Sequence, residues 1–132
     1  MIAVDTNVVV RLLVGDDPDQ AAAAKSLFES ERIWIAKTVL LETEWVLRRL
    51  YGFDYTAIRD GFTKLLGLKN VQTEDKASMA AALALTEHGI DLADAIQLTS
   101  RPPGAAFVSF DKTFVKRAKR AGATGVSIVK PK

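Results

Sequence analysis

Apolar residues along the chain recur with two different periods, and the switches between them mark out alternating strands and helices. Ile2, Ala3 and Val4 form a short run that stops at Asp5, which predicts a buried strand ending at a carboxylate. From Thr6 the spacing lengthens, placing Val9, Leu12 and Leu13 on one helical face. A second helix starts at Asp17-Pro18, with Asp17 as N-cap and Pro18 at the first helical position, and continues through Ala21 to Phe28. Arg32 to Ala36 predicts a second strand. Thr38 is expected to cap a third helix that runs to Tyr51 and stops at Gly52. Asp54 caps a fourth, Tyr55 to Leu66, with Ile58, Phe62, Leu65 and Leu66 as its core face. Asn70 to Gln72 predicts an edge strand, and Thr73 or Asp75 starts a fifth helix that ends at His88-Gly89. A helix through Asp91 to Leu98 is terminated by Pro102-Pro103-Gly104. Ala105 to Phe110 is a strand ending at Asp111. A basic helix, Lys112 to Ala121, follows, and Gly122 and Gly125 bracket the turn into a last strand, Val126 to Val129. Strands alternating with helices imply an α/β fold with a parallel sheet covered on both faces by right-handed crossovers.

The acids that interrupt this pattern carry the candidate chemistry. Asp5 ends a strand, the place where open α/β sheets build ligand sites. Asp is equally a common N-cap for the helix that follows, so both roles stand. Asp111 repeats the layout. The third helix is apolar nearly all round, at Leu40, Leu41, Trp45, Val46, Leu47 and Leu50, which predicts that it is largely covered. Glu42 lies inside that stretch, where a carboxylate is expensive to bury unless it is paired or binds a metal. A salt bridge to Arg49, two turns along, is the plain alternative, and Glu44 is expected to face solvent. Asp91 and Asp94 are three apart and share a helical face. Asp91 has a ready explanation as N-cap, whereas Asp94 has none among its small and apolar neighbours. Two such carboxylates repel unless a cation lies between them. His88, in a last turn, fits the helix dipole as a cap.

Composition narrows the chemistry. A length of 132 residues, 48% hydrophobic and 26% charged, fits one globular domain over 1–132. The chain has no cysteine and a single histidine, which excludes disulfides, thiolate centres and a histidine-rich zinc site. No apolar run approaches the roughly 18 residues that span a bilayer, and no basic leader precedes the first strand, so a cytoplasmic protein without a membrane partner is expected. A net charge of +2 and pI near 9.0 permit a nucleic-acid partner. The cations gather late, at Lys112, Lys116, Arg117, Lys119, Arg120, Lys130 and Lys132, as a solvated helix face or a phosphate-binding one. Asp5, Glu42, Asp94 and Asp111 can converge on one end of the sheet. Carboxylates without histidine or cysteine suit Mg2+ or Mn2+. Such an ion orients and deprotonates water and screens a phosphodiester, so nucleic-acid hydrolysis is the natural use.

Four segments together resemble the PIN-domain family and, within it, the VapC-type toxins of prokaryotic toxin–antitoxin pairs. They are Val4-Asp5-Thr6-Asn7, Leu40-Leu41-Glu42 with Trp45-Val46-Leu47-Arg48, Asp91-Leu92-Ala93-Asp94-Ala95, and Ser109-Phe110-Asp111 with Phe114. The resemblance implies a three-layer α/β/α sandwich with strand order 3-2-1-4-5. It also implies a Mg2+ or Mn2+ site made by Asp5, Glu42, Asp94 and Asp111, with Asp91 either a further ligand or a helix cap. Thr6, Asn7 and Ser109 take supporting hydrogen-bond roles. The implied activity is an endoribonuclease acting on tRNA, rRNA or mRNA, with Lys112, Lys116, Arg117 and Arg120 placed to hold RNA phosphates. A cognate antitoxin and a homodimer are the expected partners, the dimer suggested also by Trp45, Leu47 and Tyr51, which exceed what one core face needs. A PIN nuclease of RNA maturation or decay is the alternative within the family. A phosphoryl-accepting receiver domain fits less well, because Asp5 is followed by Thr6 and no helix follows Lys130-Pro131.

Overall fold

A computed structural model describes residues 1–131; Lys132, the last of the late cations, lies outside them. The chain divides into two compact units, Met1–Lys76 and Ala77–Lys132.

The first unit contains β1 (Ile2–Ala3), α1 (Thr6–Val14), α2 (Pro18–Ser30), β2 (Ile33–Trp34), α3 (Lys37–Arg49), α4 (Tyr55–Gly67) and β3 (Val71–Gln72). Its strands form a parallel ladder in the order β1-β2-β3, with Ile2, Ile33 and Val71 in register. The central strand carries the core: Ile33 and Ile35 are wholly buried, as is Val71. β1 lies at the edge of this ladder, and Ile2 and Ala3 are exposed, contrary to the buried strand expected; only Val4, just beyond it, is buried. β2 is also shorter than the Arg32 to Ala36 expected.

Local capping chemistry sets the helix starts. Asp17 accepts from the Gln20 N–H (3.1 Å) with Pro18 at the first position, and Asp54 accepts from the Ala57 N–H (2.9 Å). Ile58, Phe62, Leu65 and Leu66 are buried as their spacing predicts. The start of α3 differs. Helical geometry begins at Lys37, so Thr38 falls inside the helix, and the N-cap position is Ala36, which has no side-chain oxygen. Glu74 supplies one from beyond β3, accepting from the Lys37 N–H at 2.7 Å.

Helix α3 also corrects the expected placement of its acids. Its buried positions are Leu40, Thr43, Glu44 and Leu47, an i, i+3, i+4, i+7 stripe that includes two polar residues. Glu44 is 3% exposed, while Glu42 is exposed and Trp45 is 48% exposed. The Glu44 charge is met by Arg48, whose Nε donates to Glu44 Oε1 at 2.6 Å and whose guanidinium lies 5.7 Å from the Tyr55 ring centre, at the start of α4. Leu47 belongs to the core, and Tyr51 is half-buried, tied by its hydroxyl to the α1–α2 turn: it donates to Asp16 Oδ2 (2.7 Å) and accepts from Arg11 (3.2 Å). Arg11 also reaches Asp16 Oδ1 (2.9 Å) and Gln20 (2.8 Å). The Tyr51 hydrogen bond, then the Arg11 charge, hold the Asp16 carboxyl below its ordinary range.

The second unit follows with α5 (Lys76–Leu85, opening at its border), a 3-10 turn (Thr86–His88), α6 (Leu92–Thr99), β4 (Phe107–Ser109), α7 (Lys112–Arg120) and β5 (Val126–Ile128). Gly89 closes the 3-10 turn at φ +77°, so the fifth helix ends where expected, though its last turn tightens. β4 and β5 pair in parallel, Phe107 with Val126 through Ser109 with Ile128. Phe114, Val115 and Ala118 of α7 are buried, and the Phe107 and Phe114 rings meet at 5.7 Å. The chain is thus α/β with parallel strands. Within each unit the ladder, β1-β2-β3 in the first and β4-β5 in the second, agrees with its own part of the expected order 3-2-1-4-5.

The Glu44–Arg48 pair generates a first prediction. Glu44→Ala removes a charged hydrogen bond from a buried position and should lower the unfolding free energy by about 1–3 kcal/mol, discounted because Arg48 is partly solvated. A denaturation curve superimposable on wild type would show that Glu44 contributes nothing.

Candidate metal and nucleic-acid site

Both strand-end carboxylates follow the same local plan. β1 ends, and Asp5 takes an extended conformation and accepts from the Val8 N–H at 3.1 Å, starting α1. β4 ends, and Asp111 accepts from the Phe114 N–H at 3.0 Å, starting α7. The capping role considered for Asp5 is therefore real. Each cap bond engages Oδ1, and each carboxylate is exposed at the start of its helix. Capping holds these side chains in place without consuming them.

In the first unit Thr6 Oγ1 donates to Glu42 Oε1, so the residue after the Asp5 cap orients the exposed carboxylate of α3. Thr6 is itself buried, which anchors the contact. Asn7 is exposed. A groove of about 400 Å3 opens beside Asp5 and Asn7 and runs along Arg11 and Gln20 of α1 and α2. Arg11, which lines the groove, also belongs to the Arg11–Asp16–Tyr51 network, and nothing in local spacing joins Tyr51 to residues 35 and 40 positions earlier.

In the second unit Asp91 occupies the N-cap position of α6, but its carboxylate makes no capping bond to the helix. Asp94 stands in the first turn, half-buried. Burial first, and then the charges of Asp91 and Asp111, push its carboxyl above the ordinary carboxylate range. Two acids thus bear on a third here. Ser109 Oγ accepts from the Asp111 N–H at 3.0 Å, fixing the backbone at the strand end. Lys112, Lys116 and Arg120 are exposed along α7 at four-residue spacing. Arg117 is braced differently: its Nη1 donates to the Gly89 carbonyl at 2.7 Å, closing the end of the 3-10 turn. His88, in that turn, is exposed.

The donor set is all oxygen, and repulsion on Asp94 is the imbalance a hard cation relieves, so these residues fit a divalent ion chemically. Among the described residues, no group of three or more Asp, Glu or His side chains is already gathered around one ion position. A family model described as PIN domain matches residues 2–120, running through both units. The chain belongs to the PIN-domain family. PIN domains have a metal-dependent nuclease fold, are generally hydrolases and typically use divalent ions. No curated protein and no solved structure matched the chain. Among the described residues of this PIN domain no helix is long and apolar enough to cross a membrane.

Asp94 carries a pH prediction. Its folded-state pKa is raised, so its contribution to stability is fully present below the unfolded value and is lost as pH rises through the folded one. In EDTA, Asp94→Asn should therefore melt no lower than wild type near neutral pH. Its relative advantage should shrink as pH falls toward the ordinary Asp value of about 3.9. Thermal melts in which the variant is less stable at neutral pH and gains on acidification would reverse the sign.

Proposed function

We propose that the protein is a Mg2+- or Mn2+-dependent endoribonuclease and the toxin of a toxin–antitoxin pair, with Asp5, Glu42, Asp94 and Asp111 as the metal-holding carboxylates and Asp91 as a further acid beside them. The observation that carries this reading is the second unit's acid group, in which Asp94 is burdened first by its burial and then by the charges of Asp91 and Asp111. An ionised carboxylate in that setting is unfavourable without a compensating cation. When bound, the ion orients and acidifies a water and screens the charge of the phosphodiester.

The chain's own residues set the conditions for that chemistry. Asp5 and Asp111 are immobilised through one oxygen by the helices they cap, leaving the other to face a ligand. Thr6 holds Glu42, and Ser109 holds the backbone of Asp111, so both hydroxyls restrict the motion of carboxylates. Asn7, exposed beside Asp5 at the mouth of the α1–α2 groove, is a polar group suited to a sugar or phosphate oxygen. Lys112, Lys116 and Arg120 offer charge to the RNA backbone, and Arg117 contributes to that field while bracing Gly89. Single-stranded loops of structured RNA are the expected target, since their bases and phosphates are accessible. Work in the cytoplasm, restraint by an antitoxin and a homodimer complete the proposal. Trp45 and Leu50, 48% and 69% exposed, supply apolar surface for a protein contact. Light scattering that reports a monomer at micromolar concentration would count against the dimer.

Protein freed of any partner and incubated with total RNA and Mg2+ or Mn2+ should give discrete fragments, and EDTA should abolish them. Glu42→Gln should remove the activity. Thr6→Val should lower it about 10- to 100-fold, as does loss of a group that holds a ligand in place. Cleavage that persists in EDTA would overturn the metal mechanism.

A further inference from the structure

The second unit exposes an aromatic ring that its own packing does not use. Phe107 and Ser109 of β4 turn inward and are half-buried, and the Phe107 ring packs on Phe114. Val108 within the strand and Phe110 in the bend just past it are 57% and 69% exposed. A single exposed apolar residue is unremarkable on a protein surface. Here two lie within three residues at the end of a strand, and the larger directly precedes Asp111. The turn that presents Phe110 is tied down on its far side, by Asp111 N–H to Ser109 Oγ (3.0 Å) and Phe114 N–H to Asp111 Oδ1 (3.0 Å). Immediately beyond lie Lys112, Lys116 and Arg120, spaced about 6 Å apart along the α7 axis and all exposed.

We propose that Phe110 is a stacking platform for an unpaired base of single-stranded RNA, with the adjoining phosphates held along Lys112, Lys116 and Arg120. An aromatic face next to a line of cations is the combination that grips single strands, the ring taking the base and the charges tracking the backbone. A second copy of this chain is disfavoured at the same surface, because two-fold pairing through Phe110 brings the α7 cations toward their own copies. The proposal rests on the ribonuclease reading and deepens it: Phe110 selects unpaired nucleotides and sets which of them lies nearest Asp111.

Anisotropy titrations of the full chain in EDTA, where no cleavage interferes, test this with two probes: a short fluorescein-labelled oligo(U), and a ribose-phosphate strand lacking bases. Wild type should bind oligo(U) more tightly. Phe110→Ala should weaken oligo(U) binding about 5- to 150-fold, the range for loss of one stacked base, and leave the baseless strand unchanged. Phe110→Trp should restore oligo(U) binding, with quenching of the new indole on saturation. Lys116→Ala should weaken both probes alike and reduce the salt dependence by about one counterion. Because Phe110 is exposed, its variants should melt as wild type does. Equal oligo(U) affinity for wild type and Phe110→Ala overturns the proposal, as does a wild type that binds neither probe. A Phe110→Ala change that converts a dimer to a monomer would assign the ring to a protein contact and overturn it too. Failure of the nuclease reading is seen separately, as wild type that yields no EDTA-sensitive cleavage of total RNA.

Discussion

The hydrogen bond from a helix's first turn to the carboxylate that ends the preceding strand is the constraint on which the rest depends. It occurs at Asp5, where Val8 N–H is the donor, and again at Asp111, where Phe114 N–H is. A two- or three-residue strand cannot by itself fix the direction in which the chain leaves it. The cap bond does so, and it starts a helix whose apolar face then packs. The same bond confines a carboxylate at the start of the helix through one of its oxygens. Fold and candidate chemistry therefore share one local device, and the supporting hydroxyls of Thr6 and Ser109 extend it by restraining Glu42 and the Asp111 backbone.

What could be read from the sequence was what short-range chemistry decides. Asp17-Pro18 and Asp54 start helices, Gly89 ends one, and the α4 stripe is buried, because caps and periodicity act within a few residues. The family motifs were equally visible, since they are made of consecutive residues. The α3 acids were misplaced for an identifiable reason. When a helix is apolar on most sides, neighbours do not reveal its phase. Only the i, i+3, i+4, i+7 series Leu40, Thr43, Glu44, Leu47 does so, and the Glu44–Arg48 spacing was its available clue. The capping of α3 by Glu74 and the tie of Tyr51 to Asp16 depend on tertiary contact and had no local signal.

Electrostatically, the second unit contains two opposite demands. Burial first, and then the negative charges of Asp91 and Asp111, push the Asp94 carboxyl above its ordinary range. The exposed face of α7 accumulates positive charge directly after Asp111. In the proposed function a cation answers the first and a polyanion the second, so RNA bound with a divalent ion would bring both. Arg117 shows that not every late cation is spent on a ligand, since its guanidinium holds the Gly89 carbonyl.

The central proposal is that Asp94 and Asp111, acids of the second unit, serve one ion. A double-mutant cycle on the Mn2+-induced rise in melting temperature tests it most directly, using wild type, Asp94→Asn, Asp111→Asn and the double variant. Asn caps a helix about as well as Asp, so Asp111→Asn perturbs the ligand without the fold. If both residues hold the same ion, each single variant loses most of the Mn2+ shift and the double variant loses little more. A Mn2+ shift in Asp111→Asn equal to that of wild type, or losses that simply add, would contradict it.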